Sequence, residues 1–303
     1  MIKVSVISKQ QQRYTELLAQ AQLPDLCLTE DPSQASVILA DPPLIANQLH
    51  QFTQLKWLQS TFAGIDALIQ PDLRQDYLLT NIKGCFGHLI GEYVISQCLN
   101  YYRHFPQYQQ QQQQALWQPI PYQSLSAKTM VIIGTGSIGC TLATIASAFN
   151  CRIIGVNRSG ESSANAFDAI YPITQLSDAL NNTDIIVSTL PATAQTCDLF
   201  SSTIWSGCHQ ALFFNVGRGN TVIESDLIKA LDTNHLAHAY LDVFKQEPLP
   251  EDHLFWHHPK ISITPHIAAE SFPEQVVEIF KTNYLRFHQQ QKLDYLIDFK
   301  DGY

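Results

Sequence analysis

Residues 131–139 read Val131-Ile132-Ile133-Gly134-Thr135-Gly136-Ser137-Ile138-Gly139, and the fold follows from them. Three β-favouring apolar residues run straight into a G-x-G-x-x-G. Cys140 to Phe149 is then mostly small and apolar, which suits a helix packed on a sheet, and Cys151-Arg152-Ile153-Ile154-Gly155-Val156 is a second apolar run. Strand, glycine turn, helix and strand in that order open a dinucleotide-binding βαβ unit. Each glycine serves a different purpose. Gly134 permits the tight turn, Gly136 lets a pyrophosphate approach the backbone, and Gly139 lets helix and strand pack closely. The helix start at Ser137 and Ile138 offers unpaired N–H groups and a partial positive charge to phosphate oxygens.

The end of the second strand bears on which nucleotide binds. NAD-selective sites place an Asp or Glu about 20 residues into the unit, where it accepts from the ribose 2′-OH. Here the strand ends Val156-Asn157-Arg158-Ser159, with no carboxylate before Glu161. A neutral Asn157 does not repel a 2′-phosphate, Arg158 can pair with it and Ser159 can donate to it. The pattern favours NADP(H) over NAD(H); the plainer alternative makes Arg158 a solvated loop arginine.

The chain has 303 residues, enough for two domains, and with 45% hydrophobic and 15% charged residues it is globular. A net charge of -9 without a basic tract argues against a nucleic-acid partner. Seven scattered cysteines without a C-x-x-C suit reduced thiols, most of them small core residues. The N-terminus lacks a signal-peptide layout and no apolar run approaches membrane-span length, so the expectation is a cytoplasmic protein with no membrane partner.

Outward from the glycine turn, short apolar runs alternate with helical stretches: residues 2–8, Val37–Ala40, Leu55–Ser60 and Leu78–Asn81 before it, and 184–190, 211–216, 237–244 and 261–264 after it. Such alternation predicts parallel sheets flanked by helices. A helix is predicted from Leu89 to about Phe105, ended or kinked by Pro106. The six glutamines Gln109–Gln114 read as a solvated helix face. Ser271-Phe272-Pro273-Glu274 fits a capping box for a last helix that buries Phe272, Val276, Ile279, Phe280, Tyr284 and Phe287, followed by a strand-like tail, Leu293 to Phe299. In open α/β sheets ligands bind beyond the carboxyl ends of strands, which puts Arg218, Asp242 and His266 on the rim that holds the Gly134 turn.

Three ionisable residues stand out. Arg218, between Gly217 and Gly219 where crowding is expected to be low, suits bidentate grip of a carboxylate. Glu247 lies in a proline-stiffened loop and His266 follows a buried strand; a His oriented by a carboxylate can act as general acid or base. Taken singly, the three are equally readable as a salt bridge, a solvated turn residue and a surface histidine. His253, His257 and His258 look like a metal cluster yet read as surface groups, and no metal site is expected.

Asn215-Val216-Gly217-Arg218-Gly219, Leu241-Asp242-Val243-Phe244 through Glu247-Pro248-Leu249-Pro250, and Thr264-Pro265-His266-Ile267-Ala268-Ala269 resemble the signatures of the D-isomer-specific 2-hydroxyacid dehydrogenases. Trp57-Leu58-Gln59-Ser60, Ala63-Gly64-Ile65-Asp66 and the glycine turn extend the resemblance over nearly the whole chain. Within the family the chain is most similar to the bacterial NADPH-dependent glyoxylate/hydroxypyruvate reductases. The resemblance implies a Rossmann doubly wound sheet at 99–270 and a smaller flavodoxin-like α/β substrate domain. The latter is built from both chain ends, 1–98 with a C-terminal helix and tail at 271–303. It implies an oxidoreductase in which Arg218 holds the carboxylate and carbonyl oxygen of a small anionic 2-oxo acid, His266 donates the proton and Glu247 is its partner. Backbone N–H groups around Ala63 and Gly64 would also bind the carboxylate. Gly134 to Gly139 would hold the pyrophosphate and Asn157, Arg158 and Ser159 the 2′-phosphate. Leu190, Pro191 and Thr196 would line the adenosine side, with Val216 and Asp242 near the nicotinamide. A homodimer is implied, in contact around the Leu89–Phe105 helix. Phe62 and Gly91 depart from the family pattern: Phe62 is bulkier than usual, and Gly91 replaces a frequent Ala, which loosens the helix start. Larger 2-oxo acids, use of NADH, and a non-catalytic NADP(H) sensor are the alternatives.

Overall fold

Apolar runs of three to six residues, each stopped by Gly, Pro, Asp or a polar cluster, become twelve strands in two sheets of a computed structural model that describes residues 1–161 and 164–299. The chain divides into two units, one of Met1–Cys85 with the chain from Ser271 onward, the other Phe86–Glu270.

In the first unit β1 (Ile2–Ile7), β2 (Leu26–Leu28), β3 (Val37–Ala40), β4 (Trp57–Ser60) and β5 (Leu78–Thr80) pair in the order β2-β1-β3-β4-β5, all parallel. This is the flavodoxin-like order. Ile38, Leu58 and Leu79 pack with Ile45, Leu49 and Leu68 into its core. The last helix, Pro273–His288, joins this unit: Phe280 stacks on Trp57 with centroids 5.0 Å apart, and Asn283 Nδ2 donates to Gln59 Oε1 at 3.2 Å. The predicted capping box does not form. Pro273 opens the helix, Phe272 takes the cap position and is 45% exposed, and Glu274 pairs with Arg13. The tail pairs only through an antiparallel bridge of Leu296 with Thr80 among the described residues, and residues 300–303 of the expected returning tail lie outside them.

The second unit holds β6 (Thr129–Ile133), β7 (Arg152–Asn157), β8 (Ala169–Pro172), β9 (Ile185–Ser188), β10 (Ala211–Asn215), β11 (Leu236–Leu241) and β12 (Ile261–Ile263). They form one parallel sheet in the order β12-β11-β10-β9-β6-β7-β8. The order reverses at β6, the strand that feeds the glycine turn, so the turn sits at the switch point. Apolar side chains cover both faces, as a parallel sheet requires.

The helix Phe86–Tyr102 packs Ile90, Val94, Ile95 and Cys98 against Ile132, Leu142 and Ala143, so it belongs whole to this unit and the division falls after Cys85 rather than after residue 98. Gly91 is a close-approach position: a Cβ there would strike Ile145 Cδ1. The helix ends at Tyr102, and Pro106 neither ends nor kinks it. Instead it lies in the first turn of a second helix, Phe105–Gln113, entered through a left-handed His104. Most of the glutamine run is exposed on that helix. Cys98, Cys151 and Cys208 are buried, Cys197 is exposed, and all seven are free thiols. No helix among the described residues is long and apolar enough to cross a membrane.

Candidate active site

Because the seven strands run parallel, the segments that leave β6, β7, β9, β10, β11 and β12 share one rim. Gly134 has φ +108, closed to most side chains, and its turn is braced by Thr189 Oγ1, which donates to Ile133 O and Gly134 O, each at 3.2 Å. A Cβ at Gly139 would collide with the Gly134 carbonyl oxygen, whereas one at Gly136 would meet nothing within 4 Å. The helix Ser137–Ser147 starts at Gly136 with no side-chain cap, so no side chain there takes up its first N–H groups, at Ser137 and Ile138. A tight turn, an open glycine and an uncapped helix N-terminus fit a pyrophosphate.

Asn157 does more than avoid repelling a phosphate. Its Oδ1 accepts the N–H groups of Ser159 and Gly160 at 3.0 and 2.7 Å, and its Nδ2 donates to Thr135 Oγ1 at 2.7 Å. The amide therefore shapes the loop that carries the exposed Arg158 and Ser159 and ties it to the glycine turn. Thr196 Oγ1 donates to Pro191 O at 2.6 Å, closing the loop that follows the buried Leu190.

Arg218 leaves β10 after Val216 in extended conformation. The flanking glycines do not mark an uncrowded place, contrary to expectation. A Cβ at Gly217 would sit 2.5 Å from Leu190 O, and one at Gly219 would strike the Phe244 carbonyl group. Backbone packs on both sides of Arg218 and fixes where its half-buried side chain starts. Through Phe244 this segment also touches the start of the Glu247 loop.

His266 Nδ1 lies 2.8 Å from Glu247 Oε2, and Glu247 Oε1 accepts the Phe244 N–H at 2.9 Å. The hydrogen bond to Glu247 raises the His266 pKa, burial opposes it, and the negative charges of Glu247 and Asp242 outweigh the nearby charge of Arg218. For Glu247, burial favours the neutral form, but the hydrogen bonds from His266 and Phe244 and the charges of His266 and Arg218 hold its pKa below the usual range. The three residues singled out in the sequence thus act on one another, and both shifts favour the charged forms, imidazolium and carboxylate. With Nδ1 engaged, Nε2 is the nitrogen that can exchange a proton with a ligand.

Asp242 is buried and its carboxylate is taken up by the segment that carries His266, through Thr264, Ile267 and Ala268. Thr264 and its neighbour Tyr93 escape a reading of the sequence, because a hydroxyl on a strand end or helix face has no sequence signature. In the first unit, the loop after β4 is pinned by Asn81, whose Nδ2 donates to Ala63 O at 2.8 Å. The N–H groups of Ala63 and Gly64 have no hydrogen-bond acceptor among the described residues. Phe62 in this loop is 37% exposed. No cluster of His, Cys, Asp and Glu suited to a metal occurs among the described residues.

Residues 95–268 match the family model for the D-isomer specific 2-hydroxyacid dehydrogenase, NAD binding domain. Glyoxylate/hydroxypyruvate reductase A of Salmonella paratyphi B is 32% identical over 258 residues, 82% of each chain. The crystal structure of a D-isomer specific 2-hydroxyacid dehydrogenase family protein from Aeromonas salmonicida is 42% identical, with TM-score 0.94 over 98% of this chain and 99% of that one. The NADPH-dependent glyoxylate/hydroxypyruvate reductase of Sinorhizobium meliloti, solved with NADP and sulfate, is 25% identical, with TM-score 0.87 over all of both chains.

Proposed function

The chain belongs to the D-isomer-specific 2-hydroxyacid dehydrogenase family of NAD(P)-dependent oxidoreductases, and from there we propose that it reduces small 2-oxo acids, glyoxylate and hydroxypyruvate first, with NADPH. The observation that carries this reading is the 2.8 Å His266–Glu247 pair within the field of Arg218. Its carbonyl-reducing partner, the nicotinamide, supplies a hydride when bound. The protein's own residues do the rest. Arg218 grips the carboxylate and carbonyl oxygen and stabilises charge that develops on that oxygen. His266 gives it the Nε2 proton, and Glu247 keeps the imidazole charged and oriented until then.

The cofactor choice rests on Arg158 and Ser159 in the loop that Asn157 shapes. Gly134, Gly136, Ser137, Ile138 and Gly139 hold the pyrophosphate, Leu190, Pro191 and Thr196 the adenosine side, and Val216 and Asp242 border the nicotinamide. The named activities of the Salmonella and Sinorhizobium relatives support the substrate class.

Initial rates of NADPH and NADH oxidation with glyoxylate, hydroxypyruvate and pyruvate test the reading. NADPH preferred with glyoxylate or hydroxypyruvate is the expected result. A preference for NADH would remove Arg158 from cofactor recognition. Turnover only with bulkier 2-oxo acids would reassign the substrate, and cofactor binding without any turnover would make the protein a sensor of NADP(H).

A further inference from the structure

His266 has φ +56, a left-handed backbone that residues with a side chain rarely adopt, so something must hold it there. The holder is Asp242, at the end of β11. Its carbonyl accepts the His266 N–H at 2.9 Å. Its carboxylate accepts the Ile267 N–H at 2.9 Å, the Ala268 N–H at 2.9 Å and the Thr264 hydroxyl at 2.6 Å. Both flanks of the histidine are thereby tied to one buried group.

Thr264 Oγ1 also lies 2.8 Å from the phenol oxygen of Tyr93, on the helix Phe86–Tyr102. A carboxylate only accepts, so the single hydroxyl hydrogen of Thr264 is committed to Asp242 and Tyr93 must be the donor in this contact. Burial pushes the Tyr93 pKa up to about 12, which keeps that donor protonated.

We infer that Tyr93 is a positioning residue for His266: its phenol fixes the Thr264 hydroxyl on Asp242, and Asp242 holds the turn that presents the imidazole to Glu247. The inference deepens the reading of His266 as proton donor and rests on it. It also gives the Asp242 carboxylate a role separate from any contact with the nicotinamide. The charged groups that act on the imidazole in this arrangement are Glu247, Arg218 and Asp242.

The test uses the full chain with Tyr93→Phe, Thr264→Val, Thr264→Ser and the Tyr93→Phe/Thr264→Val double variant. Two quantities are read: kcat and KM for glyoxylate with NADPH, and the His266 imidazole titration followed by NMR without substrate. Loss of one neutral hydrogen bond in Tyr93→Phe should lower kcat roughly threefold to tenfold. The KM for NADPH should hold, and the His266 pKa should move down as its contact with Glu247 loosens. Thr264→Val should lose more, and Thr264→Ser, which keeps the hydroxyl, should restore most of it. Tyr93→Phe should add little in the Thr264→Val background, since both cut one chain. An unchanged His266 titration and kcat in Tyr93→Phe, whatever its melting temperature, would overturn the inference, and so would additive losses in the double variant. Lack of turnover by the unaltered protein would sink the reductase reading instead, leaving the NMR titration to decide the role of Tyr93.

Discussion

At His266 and Glu247 the two pKa shifts have opposite signs, and the hydrogen bond the residues share contributes to both. Reduction needs the imidazolium, so kcat for reduction should fall as pH rises through the His266 pKa, which lies above its usual 6.5. Glu247→Gln removes the main cause of the raised pKa, so the alkaline limb of the pH–rate profile should move down. A limb that stays in place would belong to another group. For stability, a raised His contributes fully below 6.5 and loses its contribution as pH rises through the folded value. A lowered Glu contributes fully above 4.5 and loses its contribution as pH falls through the folded value. The pair therefore stabilises the fold fully between those two limits. The side chains are 49% and 36% exposed, so solvent screens the pair and its effect on rate should exceed its effect on melting temperature. His266→Gln should bind NADPH as before, because the glycine turn is untouched, yet lose roughly 10²–10⁴-fold in turnover. NADPH fluorescence titration and initial rates measure both, and unchanged turnover would take the proton-donor role from His266.

The glycine turn separates folding from binding within six residues. Gly139→Ala sets a methyl against the Gly134 carbonyl oxygen, which is backbone and cannot move aside, so it should destabilise the protein by about 1–3 kcal/mol. Gly136→Ala sets its methyl in open space, so the melting temperature should hold. That same space is where a phosphate oxygen would approach, and loss of a charge-assisted hydrogen bond should weaken NADPH binding by roughly 10- to 100-fold. Thermal unfolding and NADPH titration of both variants tell the two roles apart; a destabilised Gly136→Ala with normal affinity would reverse the assignment. This element was legible in the sequence because strand, turn and helix each leave a local mark, and so were the strands whose apolar runs end in Pro, Gly or Asp. β2 and β8 were not, since both are sheet-edge strands of half-buried residues with little apolar contrast. The Ser271 capping box misled because Pro273 starts the helix one residue later than that box requires. Glycines 91, 217 and 219 could be seen but not explained, because the atoms opposite them come from distant parts of the chain. For the same reason His266 and Glu247 could be singled out one by one, while the contact of Thr264 with Tyr93 behind His266 could not.

Taken whole, the molecule carries a net charge of -9 and is proposed to bind two anions, so its attraction for them is local, built from Arg218, Arg158 and an uncapped helix N-terminus. Its apolar surface is local as well. Phe105, Leu116, Trp117 and Tyr122 are 47%, 47%, 98% and 61% exposed, all within one short stretch after the helix Phe86–Tyr102. Their exposure does not come from a loose backbone. His104 Nε2 lies 2.9 Å from Pro121 O, the Tyr108 hydroxyl accepts the Ile120 N–H at 2.8 Å, and Arg103 lies over the Tyr122 ring at 4.1 Å. A tryptophan held in water on an ordered segment retains the apolar area that burial against another surface would remove, on the order of 150–250 Å² for an aromatic side chain. If the chain pairs as the family resemblance implies, a second copy of it would be the occupant of that surface. Sedimentation equilibrium should then report twice the chain mass, and Trp117→Glu should shift it to the single-chain mass without lowering the melting temperature of the separated chain, since the residue has no buried contacts to lose. A single-chain mass for the unaltered protein at micromolar concentration would remove the dimer, and a dimer that survives Trp117→Glu would move its interface away from this segment.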